Sequence, residues 1–168
     1  MPTIEQIVEK QESKKVSLFD DPYMDLWVLL DQTRDVVARA RELELNHFKL
    51  TRAQASVLFI LMRENRGLTI AEISNWNARE QNSVLTLVNR MAKSGLVEKS
   101  RDRDKNKMSV VITEKGRSLY ADVTRLSVEM IFSILSDEEK QQFKSILKKI
   151  RVKSRELLGI DFRPAFLP

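Results

Sequence analysis

Apolar positions recur at helical spacing from Leu26 onward. Leu26, Leu29, Leu30, Thr33, Val37 and Ala40 fall at i, i+3, i+4 steps and predict a helix over 22–46, opened by Asp20-Asp21-Pro22. Trp27 and Val36 widen its apolar surface beyond one stripe, enough to pack on its own lobe and on a second subunit. Ala55 to Met62 is almost continuously apolar and reads as a buried helix. Thr51 with Gln54 gives it a capping box, and Asn65-Arg66-Gly67 ends it. Thr69 with Glu72 repeats the capping pattern and starts a short helix to about Trp76, with Ile70, Ala71 and Ile73 facing inward. Asn77 is expected to cap the next helix, with Glu80 three positions on. In that helix Val84, Leu87, Val88 and Met91 form one narrow apolar stripe, and Gly95 suits its C-terminal end.

The period then changes to two. Leu96 to Ser100 reads as a strand, Arg101 to Lys107 as a charged loop, and Met108, Val110 and Ile112 as alternating positions of a second strand. Together they predict a hairpin standing beside the preceding helix as a wing. Thr113 caps a helix expected to run unbroken through Leu119, Val123, Leu126, Met130 and Ile134. Ser136 with Glu139 starts another, carrying Phe143, Ile146, Leu147, Ile150 and Leu157. The expected fold is mainly α: a winged helix-turn-helix lobe with a two-stranded wing, plus N- and C-terminal helices. The divisions are an N-terminal extension (1–21), a dimerisation helix (22–48), the winged lobe (49–115) and C-terminal dimerisation helices with a tail (116–168). The extension is a loosely ordered arm or a helix packed on a partner subunit or ligand cavity. The tail carries Ile160, Phe162, Phe166 and Leu167.

Composition narrows the chemistry. The 168 residues include no cysteine and one histidine, His47, which removes thiolate catalysis, Cys-based redox sensing and any His-rich metal cluster. No loop shows the regular Asp spacing of a carboxylate metal site or a phosphate-binding Gly pattern, so no enzyme, no cofactor and no metal are expected. No apolar run approaches the roughly 20 residues that span a bilayer. The start lacks a signal-peptide pattern. A soluble, cytoplasmic protein with no membrane partner is the expectation.

Net charge is +5, and its placement matters more than its size. Between Trp76 and Arg117 the cations exceed the acids by five, which equals the net charge of the whole chain. The basic bias therefore sits on the Val84–Met91 helix and its hairpin. The polar face of that helix carries Arg79, Gln81, Asn82, Ser83, Thr86, Asn89, Arg90 and Lys93. Gln and Asn pair bidentately with adenine, and Ser or Thr serves any base or the thymine methyl. The N-terminal residues of a recognition helix meet the bases. Gln81, Asn82, Ser83 and Thr86 are thus the candidate base readers, and Arg90 and Lys93 the candidate phosphate clamps. The hairpin tip, Arg101, Arg103, Lys105, Asn106 and Lys107, would place a cation in the minor groove, where Arg gains most. Thr69, at a helix start, is a candidate phosphate contact. Trp76 reads as a packing residue and His47 as structural; no residue is assigned to an effector.

The chain resembles the MarR family of bacterial transcription regulators over about Tyr23 to Leu158. The likeness rests on Leu50-Thr51-xx-Gln54, Leu68-Thr69-Ile70-Ala71-Glu72-Ile73, Val84-xx-Leu87-Val88-Asn89-Arg90-Met91 with Gly95-Leu96-Val97, and Asp104 leading to Ile112-Thr113-Glu114-Lys115-Gly116. The resemblance implies a homodimer whose terminal helices interlock and which presents two recognition helices to a pseudo-palindromic double-stranded operator, with half-sites about one helical turn apart. It also implies a repressor. Many members release DNA when a small, often aromatic, ligand binds between dimer arms and winged lobe. One position departs: the family usually has Arg two residues after the wing Asp, where this chain has Asn106, among Arg103, Lys105 and Lys107. Arg103 or Lys105 is the expected substitute. The rival reading keeps the winged fold but uses its basic face to hold an acidic protein.

Overall fold

The computed structural model describes residues 21–102 and 107–160. The described chain runs α1 (Pro22–His47), α2 (Arg52–Glu64), α3 (Ile70–Asn77), α4 (Gln81–Lys93), β1 (Val97–Asp102), β2 (Lys107–Ile112), α5 (Glu114–Ala121), α6 (Leu126–Phe132) and α7 (Asp137–Leu157). It divides into two units, Arg41–Leu126 and Met1–Ala40 with Ser127–Pro168.

The 41–126 lobe contains every buried apolar side chain among the described residues. Leu45, Leu50, Leu58, Leu61, Leu68, Ile73 and Met91 are among its largest fully enclosed groups. The lobe reaches past the expected 49–115 on both sides, because Leu45 of α1 and Val123 beyond α5 both belong to this core. Both expected capping boxes form. Thr51 Oγ1 accepts from the Gln54 N–H at 3.2 Å while Gln54 Oε1 accepts from the Thr51 N–H at 2.9 Å. Thr69 and Glu72 repeat this at 3.2 and 2.8 Å. Each box satisfies two backbone donors that a helix start leaves open.

β1 and β2 pair antiparallel from Val97↔Ile112 to Asp102↔Lys107, so the strands are longer and the tip shorter than the charge pattern predicts. Leu68 adds a bridge to the other side of β2: its N–H donates to the Val110 carbonyl at 3.0 Å and its carbonyl accepts from the Val110 N–H at 2.7 Å. This ties the link before α3 to the wing.

Two elements differ from expectation. Helix α4 is not capped by Asn77, which closes α3 instead. Its Nδ2 donates to the Ile73 carbonyl at 3.1 Å and its Oδ1 accepts from the Ser56 hydroxyl at 2.6 Å. Ala78 takes a left-handed conformation and turns the chain, so α4 starts at Gln81 behind Glu80, which makes no side-chain cap. Its carboxylate at a helix start still suits the dipole. The buried Ser74 hydroxyl donates to the Arg79 carbonyl and pins this corner. Second, the predicted 116–134 helix breaks at residues 122–125. No Gly or Pro sits there. The cause is tertiary: Thr124 Oγ1 and the Leu126 N–H both donate to Glu44 Oε1, at 2.5 and 2.8 Å. Arg41 Nη1 donates to the Thr124 carbonyl at 2.7 Å.

In the other unit the described residues are mostly helical and none is buried. Ser136 and Glu139 cap α7 reciprocally, and Phe132 and Phe143 meet with ring centroids 6.3 Å apart. Large apolar groups stay open to solvent, among them Leu29 at 65%, Ile134 at 82% and Ile146 at 53% exposure. No described helix is long and apolar enough to cross a membrane.

Candidate nucleic-acid interface

Helix α4 is held at both ends and along its inner face. Val84, Val88 and Met91 are buried in the lobe. At the C-terminal end Gly95 adopts φ 74°, the left-handed turn glycine tolerates without strain. The Gly95 carbonyl then accepts from the Thr113 hydroxyl at 2.7 Å, and Lys115 Nζ donates to the Ser94 carbonyl at 2.8 Å. The start of α5 therefore fixes the end of α4.

This fixing leaves a defined outer face. Gln81, Asn82, Ser83, Thr86, Arg90 and Lys93 are exposed on α4, and Asn89 is half-buried. Arg79 is exposed on the corner just before it. The sequence-predicted readers and clamps are thus brought onto one helix and its lead-in. The Thr86 hydroxyl donates to the Asn82 carbonyl at 2.9 Å, so its methyl and lone pairs, not its proton, face outward. Arg79, Arg90 and Lys93 form no ion pair among the described residues. Leu85 is not among the sequence-predicted readers. It lies between Ser83 and Thr86, is 40% exposed, and has the chemistry to touch a thymine methyl. Its signal was an apolar residue off the core stripe.

Thr69 is placed differently from the other candidates. Its hydroxyl donates to Glu72 Oε2 at 2.9 Å while accepting from the Glu72 N–H. Arg66 Nη2 lies 2.9 Å from Glu72 Oε1. Burial pushes the Glu72 carboxyl up, but the bonds from Thr69 and Arg66 and the Arg66 charge outweigh it and hold the group below the usual range. Thr69 is therefore engaged in an ionised cap. On the wing, Arg101 and Lys107 take their backbone places in β1 and β2, opposite Met108 and Asp102. Their side chains lie outside the described residues, as do Arg103, Lys105 and Asn106.

A helix-turn-helix with a cationic, amide-rich outer face and an adjoining two-stranded wing makes this a winged-helix lobe. Residues 50–116 match the family model described as winged helix DNA-binding domain, and the lobe has the winged-helix fold. A curated relative, the HTH-type transcriptional regulator TtmR of Methylorubrum extorquens (strain PA1), is 37% identical over 82 residues. That match takes in 48% of this chain and 42% of the relative's length. Two solved regulators have the same fold. A cysteine-to-serine mutant of MarR from E. coli, complexed with operator DNA, superposes with TM-score 0.71 at 19% identity, covering 80% of this chain and 99% of that one. CouR from Rhodococcus jostii RHA1, bound to p-coumaroyl-CoA, superposes with TM-score 0.70 at 22% identity, covering 80% and 94%. The fold is that of MarR-family regulators.

Proposed function

We propose that this chain is a cytoplasmic MarR-type transcription regulator, a homodimeric repressor that binds a pseudo-palindromic operator and is released by a small aromatic ligand. The observation that carries the DNA reading is the outer face of α4. Gln81, Asn82, Ser83 and Thr86 sit toward the end that meets bases, with Arg79, Arg90 and Lys93 flanking them as phosphate clamps. The wing cations add to the same positive field. A neighbour of the same fold holds operator DNA, and another holds an aromatic acyl thioester, which supports both halves of the proposal.

The test is a gel shift with the DNA upstream of the protein's own gene, with and without aromatic acids and their thioesters. Asn82→Ala and Gln81→Ala should each weaken operator binding by about 1–3 kcal/mol while changing binding to unrelated duplex far less. Equal loss on both duplexes would end the base-reading assignment.

Dimerisation rests on unsatisfied apolar area. Phe143, Ile146, Leu147 and Ile150 line one stripe of α7, all partly or largely exposed, in a unit without a buried residue of its own among those described. Sedimentation of the full chain is expected to show a dimer. Ile146→Glu with Ile150→Glu should shift it to monomer and weaken operator binding, while the lobe's thermal transition persists. A double variant that stays dimeric would place the interface elsewhere.

A further inference from the structure

A groove opens beside the start of α4. Its walls are Arg52 and Ser56 of α2, Asn77 and Arg79 at the corner, and Val84 and Leu87 of α4. The polar groups there are one-sided. The Asn77 side-chain oxygen is occupied by the Ser56 hydroxyl at 2.6 Å, and no carboxylate lines the groove. Arg52 and Arg79 are both exposed, and neither forms an ion pair among the described residues. A guanidinium offers five donors and no acceptor. What the groove presents is therefore suited to an anion that only accepts hydrogen bonds.

Position selects the anion. Two of its lining residues, Arg79 and Val84, bracket Gln81 and Asn82 in the chain, at the end of α4 where bases would be met. Backbone phosphates flank any base-read segment, and Arg on both walls matches their geometry better than a point charge would. We infer that this groove seats one backbone phosphate of duplex DNA between Arg52 and Arg79. Helix α2, which precedes the helix-turn-helix, then becomes a DNA-contacting element beside α4 and the wing. This inference rests on the DNA-binding reading above.

The experiment measures affinity of the full chain for its operator and for an unrelated duplex across a salt series. Arg52→Gln should weaken both by about tenfold, the cost of one charged hydrogen-bonding partner. Arg52→Lys should recover part of the loss. Arg52→Gln with Arg79→Gln should take about one unit off the log–log salt slope, as for one phosphate released. The two single losses should not add, since both groups hold one phosphate. Unchanged affinity of Arg52→Gln, with steep wild-type binding, overturns the groove and leaves the DNA reading standing. Loss confined to the operator also overturns it, since that marks base contact. A wild type with no salt-dependent duplex binding removes the DNA reading itself, and the groove with it. Arg52 is exposed at the first position of α2, so a melting curve matching wild type serves as the folding control.

Discussion

Gly116→Ala is expected to destabilise the protein by about 3 kcal/mol and to lower its melting temperature by about 10 °C. Helix propensity alone predicts the opposite, because Ala is favoured over Gly by about 1 kcal/mol inside a helix. The environment of Gly116 reverses the sign. A Cβ there would stand 2.1 Å from the Leu96 carbonyl oxygen, 3.0 Å from its carbon and 3.1 Å from Ile112 Cγ1. The first two are backbone atoms at the start of β1 and cannot rotate aside. To accept the methyl, α5 must move off the β1 start. That movement strains the Thr113 N–H bond to the Leu96 carbonyl at 3.2 Å, the Thr113 hydroxyl bond to Gly95, and the Lys115 bond to Ser94. Those are the contacts that fix the C-terminal end of α4, so operator affinity should fall with stability. Thermal and urea unfolding of the full chain measure the effect; a melting temperature equal to or above wild type would show that α5 yields freely.

The same close packing explains what was legible in the sequence. All three capping boxes, at Thr51, Thr69 and Ser136, join residues three apart, so their partners could be read directly. The split of α4 into a core stripe and an outward polar face follows from the helical period, and it placed the candidate readers correctly as exposed. Contacts that cross the chain left no local trace. Asn77 has the chemistry of a helix cap, but Ser56, far earlier in the chain, engages it and the corner turns at Ala78 instead. Leu68 carries no local strand signal, because its ladder partner, Val110, lies far along the chain. The Arg52–Arg79 groove was invisible for the same reason, since three separate stretches build its walls. The surplus of apolar surface on the terminal helices, by contrast, was legible as composition and stays exposed in the folded chain.

The helix break at 122–125 yields the second large effect. Glu44→Ala should cost about 2–3 kcal/mol, since it leaves the Arg41 charge and two donors without their acceptor. Glu44 is 10% and Arg41 18% exposed at the side chain, with Arg41 Nη1 to Glu44 Oε2 at 2.6 Å. The residual exposure, and the open setting of Thr124 and Leu126, let water recover part of the loss, so the upper range for a broken buried pair is not reached. Glu44→Gln keeps an acceptor for Thr124 and Leu126 and should cost less. A second consequence follows from the absence of Gly or Pro in 122–125. With Glu44 gone, only the Arg41 bond to the Thr124 carbonyl and the burial of Val123 still hold the break against the helical pattern through Val123, Leu126 and Met130, and helical content by far-UV circular dichroism should rise although stability falls. These residues stand next to both places where the chain passes between its two units, Ala40–Arg41 and Leu126–Ser127. In the proposed homodimer two lobes must meet one operator together, so operator binding should weaken more than binding to unrelated duplex. Stability, ellipticity and operator preference all unchanged in Glu44→Ala would mean that the break is set by residues 122–125 themselves.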